Sequence, residues 1–340
     1  MDRKLGVAVL GTGWVSGEHI KAFQKNPKTE VVALLSRERS HAEAKAREMN
    51  LSRCRCYTDL DEMLKSDEID IVSICTPHQL HTEQAVAAAG AGKHLVVEKP
   101  IALNLDELRR LHAAIAKSRV KSVVSFVLRW NPLLENIKAM LADQTIGQVF
   151  YAEVDCLHSV GPETPCYEWI HTKYGGSSLL SVGCHAVDAL RWFVGSEAVE
   201  VMGCANYSKD NRLALEYEPN SVTLVKFADG TMGKVASSME AVMPYAFNIL
   251  LLGDRGTIRN NQVFTKRWPG QTSWASVPTV MPDSADVSHH PFAGQMNHFV
   301  DCILGDRESH CNVADAVKTH EICFASEVSA REGKPVRLPL

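Results

Sequence analysis

Gly11-Thr12-Gly13-Trp14-Val15-Ser16 is a glycine turn whose spacing suits the binding of a dinucleotide pyrophosphate. Gly11 permits a tight turn, and Gly13 lets a phosphate approach bare backbone. Small Ser16 stands where a third Gly or Ala keeps helix close to strand. Amides opening the next helix then face the phosphate charge. The bland alternative is a plain glycine turn; its place between an apolar strand and a helix argues for the nucleotide. Beyond the second strand comes Ser36-Arg37-Glu38. Ser followed by Arg leans towards the 2′-phosphate of NADP, while Glu38 is near enough to serve the ribose of NAD. A solvated charge cluster opening a helix is the competing reading.

Three further groups stand where two strands end. Thr76-Pro77 closes one strand, since Pro cannot continue a central ladder, and His81 follows it. His81 either lies near the cofactor or caps a helix. Glu98-Lys99-Pro100 closes the next strand, and ligands of open α/β sheets sit outside such carboxyl ends. Lys99 is therefore placed where a nicotinamide and its substrate would meet. Trp130, Trp169, His171 and Tyr174 offer flat faces for a sugar ring, or are ordinary core aromatics. His158, His171, His185, His289 and His290 lack the short ligand spacing of a zinc site, so no metal is expected.

The elements that carry these residues alternate. Apolar runs at 5–10, 30–35, 70–75, 94–97 and 122–127 read as buried strands, separated by helical stretches at 18–24, 41–49, 60–65, 83–91 and 105–118. That alternation specifies a doubly wound parallel sheet of Rossmann type over residues 1–127. Residues 128–340 read as a second, α+β domain for substrate binding and oligomerisation. It begins at Arg129-Trp130-Asn131-Pro132 with a helix over 133–142. Strands are expected at 147–158, 197–207, 221–227, 232–239, 247–253 and 257–264, with a helix over 177–194. Tight-turn signals at Asp229-Gly230 and Asp254-Arg255-Gly256 predict a large, mostly antiparallel open sheet.

With these residues in view, the chain resembles the glucose–fructose oxidoreductase, inositol dehydrogenase and MocA (Gfo/Idh/MocA) family. The resemblance rests on the glycine turn, on Thr76-Pro77 with His81, and on 92–100 ending in Glu98-Lys99-Pro100. It continues through Arg129-Trp130-Asn131-Pro132, the Gly175–Asp188 stretch and residues 299–338. The resemblance implies an NAD(P)-dependent dehydrogenase or reductase acting on the secondary alcohol of a sugar, glycoside or cyclitol. It implies that Lys99 polarises the alcohol, that His185 takes its proton, and that the Lys99–Pro100 bond is often cis. Arg129, Trp130, Trp169 and Ser181 join Lys99 and His185 as expected substrate contacts. The family carries Asp four residues before the His; here that position is Ser181, which cannot act as an anion near neutral pH. Asp188, three residues beyond His185, shares its face but reads as structural. Two other functions stay open. One is an NAD-dependent glycosidase working by transient oxidation and elimination; the other is a non-catalytic nucleotide-binding regulator.

The 340 residues suffice for two cores. A net charge of −4 gives no bulk attraction to nucleic acid or an anionic membrane, so a small molecule is the expected partner. No apolar run is long enough to span a membrane, and the first is too short for a signal sequence. The ten cysteines contain no CxxC pair and several have apolar neighbours, which suits a reducing, cytoplasmic compartment. The resemblance also implies a homodimer or homotetramer built on the open sheet.

Overall fold

The structure is a computed structural model that describes residues 3–282 and 286–340. It divides into two compact units: Met1–Val127 with Pro291–Val317, and Leu128–His290 with Lys318–Leu340. The cut after Val127 is where the sequence changes character. The return of Pro291–Val317 to the first unit differs from the continuous 128–340 stretch expected above.

The first unit runs β1 (Leu5–Leu10), α1 (Trp14–Lys25), β2 (Thr29–Leu35), α2 (Arg39–Glu48), β3 (Arg55–Tyr57), α3 (Leu60–Leu64) and β4 (Ile71–Ile74). It continues through α4 (His81–Gly90), β5 (His94–Val97), α5 (Leu105–Ser118) and β6 (Ser122–Val124). All strand pairs are parallel and the order is β3-β2-β1-β4-β5-β6. This is the dinucleotide-binding order, with β1 central and Val7 to Leu10 fully buried. Helix starts follow the local chemistry. Asn104 accepts a hydrogen bond from the Glu107 amide at 2.9 Å, and Asp59 accepts from Glu62 at 2.7 Å.

The second unit contributes α6 (Pro132–Ala142), β7 (Val149–Leu157), α7 (Tyr167–Ile170) and α8 (Cys184–Val194). Then come β8 (Ala198–Asn206), β9 (Asn220–Phe227), β10 (Met232–Ser238), β11 (Ala246–Gly253), β12 (Gly256–Arg259), β13 (Gln262–Thr265) and β14 (Ala275–Ser276). Helix α9 (Phe292–Leu304) belongs to the first unit, α10 (Val313–Glu332) passes from the first to the second, and β15 (Val336–Arg337) ends the chain. The sheet order is β14-β13-β12-β11-β7-β10-β9-β8-β15. Only β7 and β10 run parallel among the described pairs; the others are antiparallel. The strand expected over 257–264 is two strands, because Asn260 turns the chain at φ +51°. On one face, Thr223 of β9 meets Ser326 of α10 at 2.7 Å. The opposite face exposes Val222, Leu224 and Met232.

Candidate active site

In the first unit the expected cofactor residues gather along the carboxyl edge of the sheet. Gly11 follows β1 at φ +94°, and a Cβ there would lie 2.6 Å from the Cys75 carbonyl oxygen, so the turn requires glycine. Gly13 caps α1, and a Cβ on it would meet nothing within 4 Å. That open space at a helix N-terminus with no side-chain cap fits a pyrophosphate. Thr12, Trp14 and Val15 flank it, with Trp14 exposed. Ser16 is buried and donates to the Gly13 carbonyl at 2.6 Å, which fixes the turn. Ser36 follows β2, nearly buried, and Arg37 beside it is exposed.

The Glu98-Lys99-Pro100 loop is held from beneath by a pair that the sequence reading did not single out. His19, on the buried face of α1, places Nε2 2.9 Å from Glu98 Oε1 and Nδ1 2.8 Å from Ser73 Oγ. Burial alone would lower the His19 pKa, but Cys75 and Glu98 beside it outweigh burial and raise it to about 10. Burial alone would raise Glu98; its bonds and charge contacts with His19, Lys99 and Ser125 hold it below the usual carboxylate range. The two directions agree on a buried imidazolium–carboxylate pair. The available signal was a histidine three residues beyond Ser16, on the apolar side of a short helix.

His81 is fully buried, so it meets the two loops rather than open space. Its Nδ1 lies 2.8 Å from the Pro100 carbonyl and its Nε2 2.7 Å from the Thr76 carbonyl. The ring therefore bridges Thr76-Pro77 to Lys99-Pro100. Burial lowers its pKa, and the two carbonyls pull the other way without prevailing. Thr76 also donates to Gln84 at 2.6 Å. Lys99 is half-buried, and the Lys99–Pro100 bond is cis.

In the second unit the helix expected over 177–194 is not uniform. Leu179–Gly183 forms a π-turn and α8 starts at Cys184. Such turns shift side chains off the ordinary helical face and are frequent at functional sites. Ser181 lies inside it, buried, and donates to the Gly175 carbonyl. His185 follows, half-buried, its ring edge-on to His290 with centroids 6.5 Å apart.

Arg129, expected as a substrate contact, is 3% exposed and paired with Asp188. Nε and Nη2 donate to the two carboxylate oxygens at 2.7 and 2.6 Å, a bidentate geometry. The structural part of Asp188 is thus to neutralise Arg129. Trp130 is almost buried, Trp169 half-buried, and Tyr174 exposed with Lys173 over its ring. His171 stacks on Tyr167 at 4.7 Å. These aromatics do not all share one environment. Among the described residues there is no group of three or more His, Cys, Asp or Glu that could hold a metal ion.

Comparison with known proteins is consistent in both units. A family model described as an oxidoreductase family with an NAD-binding Rossmann fold matches residues 5–126. One described as the GFO/IDH/MocA C-terminal domain matches residues 134–259. The scyllo-inositol 2-dehydrogenase (NAD(+)) of Bacillus subtilis (strain 168) is 25% identical over 341 residues, 99% of this chain and 97% of that one. GenD2 from gentamicin A biosynthesis, solved in complex with NAD, is 26% identical, with TM-score 0.84 over 100% of this chain and 98% of that one. Levoglucosan dehydrogenase, solved with NADH and levoglucosan, shares the fold at TM-score 0.89 and 21% identity, over 99% and 100% of the two chains.

Proposed function

Because the chain belongs to the Gfo/Idh/MocA family of NAD-binding oxidoreductases, we propose that it moves a hydride between nicotinamide and a secondary alcohol of a cyclitol, sugar or glycoside. The observation that carries this reading is the braced Glu98-Lys99-Pro100 loop at the carboxyl edge of the dinucleotide sheet. The full-length similarity to an inositol dehydrogenase supports the substrate class. A bound nicotinamide supplies the hydride acceptor. In the roles that the family resemblance implies, His185 takes the alcohol proton on its ring and Lys99 polarises the alcohol, favouring the alkoxide as the hydride leaves. With Ser181 in place of an acid, His185 works without a carboxylate from that position.

The cofactor choice extends from the same edge. Ser36 and exposed Arg37 beyond β2 support NADP over NAD, Arg37 pairing with the 2′-phosphate. A second copy of the chain is the proposed partner, seated on the open sheet face that exposes Val222, Leu224 and Met232. The thiols of Cys54, Cys56, Cys75, Cys204, Cys302 and Cys323 support a cytoplasmic setting. No helix among the described residues is long and apolar enough to cross a membrane.

The test is a nicotinamide-linked activity screen over inositols, aldoses and glycosides with NAD and with NADP. Cofactor reduction by a member of the panel is expected. A chain that binds cofactor tightly yet reduces none with any of them would be the regulator instead. Cleavage of a glycoside with no net change in cofactor would assign the oxidation–elimination route.

A further inference from the structure

A cavity of about 300 Å³ opens in the second unit between the C-terminal part of α10, the ends of β8 and β9, and the Gly176–Leu179 segment. Its volume reaches the range of small-molecule sites. Its lining is largely polar: Ser177, Glu218, Ser221, Glu327 and Arg331 bring hydroxyls, carboxyls and a guanidinium, against Leu179, Ala205 and Ala330. The Ser221 hydroxyl is buried and has no hydrogen-bond partner among the described residues. A buried hydroxyl in that state is costly unless something else meets it. Its place on β9 is two residues before Thr223, whose side chain meets α10, so Ser221 points to the same, helix-covered face.

The other polar groups narrow the occupant. Ser177 Oγ donates to Glu327 and accepts from the Leu180 amide at 3.0 Å, leaving the rest of the Glu327 carboxyl available. Burial pushes Glu327 up to about 7; the Ser177 hydroxyl and Arg331 draw it down, and Glu218 adds to the rise. Two carboxyls against one guanidinium disfavour an anion. The guanidinium, and the burial that works against a charged Glu327, disfavour a strong cation. A neutral molecule with several adjacent hydroxyls satisfies both kinds of group, since each hydroxyl donates and accepts.

We propose that this cavity is a second binding site for a small neutral polyol, held by Ser221, Glu327, Glu218 and Arg331. It stands independently of the oxidoreductase reading. The cavity wall at Gly176–Leu179 runs straight into the π-turn with Ser181 and then His185. An occupant bonded to Ser177 or Glu327 therefore braces the segment that leads to the proposed base.

Ala330 lines the cavity on α10, so Ala330→Cys places a thiol on its wall. The rate of iodoacetamide labelling at position 330, read by peptide mass, reports occupancy, with myo-inositol as probe. Protection of roughly tenfold is expected at about ten times the dissociation constant, because labelling follows the unoccupied fraction. Adding Ser221→Ala or Glu327→Gln should remove most of the protection, and adding His185→Ala should leave it intact. Absence of labelling, or labelling untouched by inositol, overturns the site. Protection by choline but not inositol overturns the ligand class. Protection lost with His185→Ala shows that inositol acts from the reaction centre, which also overturns the proposal. Failure of the activity screen with protection retained would leave this site standing alone.

Discussion

Arg129 and Asp188 form a buried bidentate ion pair, with Thr319 Oγ1 also donating to Asp188 at 3.2 Å and Arg191 to Thr319 at 2.9 Å. Removing one partner strands a charge that cannot be rehydrated. Asp188→Asn should therefore lose about 3–5 kcal/mol of stability, and Arg129→Met Asp188→Leu together much less. Urea unfolding of the single and double variants measures this. A double variant as unstable as the single one would make packing, not charge, the cause.

The His19–Glu98 pair predicts a dependence of stability on pH. The folded ring, raised from 6.5 to about 10, holds its proton more tightly than the unfolded ring. Its stabilisation is fully present below about pH 6.5 and is lost as pH rises towards 10. His19→Gln should start less stable and lose less across that window. Parallel slopes for wild type and variant would mean that the ring is neutral when folded.

Gly11 and Gly13 should fail in different ways. A side chain at Gly11 meets the Cys75 carbonyl and needs a disfavoured φ, so Gly11→Ala should destabilise by about 1–3 kcal/mol. Gly13→Val has room for its side chain, so folding should survive while affinity for NAD and NADP collapses. Thermal melting and calorimetric titration separate the two. Normal cofactor affinity in Gly13→Val would remove the phosphate from this turn.

Lys99→Met and His185→Ala should each lower turnover by roughly 10²–10⁴-fold, the scale for a positioned acid–base group, with cofactor affinity kept. The pH profile of kcat/KM should lose its rising limb in His185→Ala. Near-normal turnover with an unaltered profile would pass the proton to another residue.

Ser181 should not be convertible to the family's acid at no cost. Its hydroxyl donates to the Gly175 carbonyl, and a carboxylate has no proton to donate there. Ser181→Ala should lose about 1 kcal/mol, and Ser181→Asp about 1–3 kcal/mol for facing acceptor with acceptor. A shift of the oxidation limb to higher pH in a stable Ser181→Asp would show that the new carboxylate reaches His185 instead.

The Rossmann half was legible because each buried strand is a short apolar run and each carboxyl end carries a turn residue. Gly11, Thr76-Pro77 and Glu98-Lys99-Pro100 mark those ends. What escaped depends on partners far away in sequence. Nothing local pairs His19 with Glu98, or tells Arg129 that Asp188 awaits it. The parallel pairing of β7 with β10 has no hairpin to announce it. Residues 177–194 read as unbroken helix, since a π-turn keeps the same apolar pattern. Asn260 was the visible sign that 257–264 is two strands.

The late return of Pro291–Val317 to the first unit has a consequence for synthesis. Phe292 packs on the His19 ring, Asn297 accepts from Asn26 at 2.8 Å, and the Val124 amide of β6 donates to Cys311 at 2.8 Å. Once residues 1–127 have left the ribosome, the nucleotide-binding sheet has α1 uncovered on that side and its last strand lacking that partner. At ordinary elongation rates the missing segment follows roughly 10–40 s later. Through that interval the N-terminal half is an incomplete folding unit with exposed apolar surface. A premature stop before residue 292 would leave it so permanently, a substrate for proteases and chaperones rather than a free-standing nucleotide-binding domain.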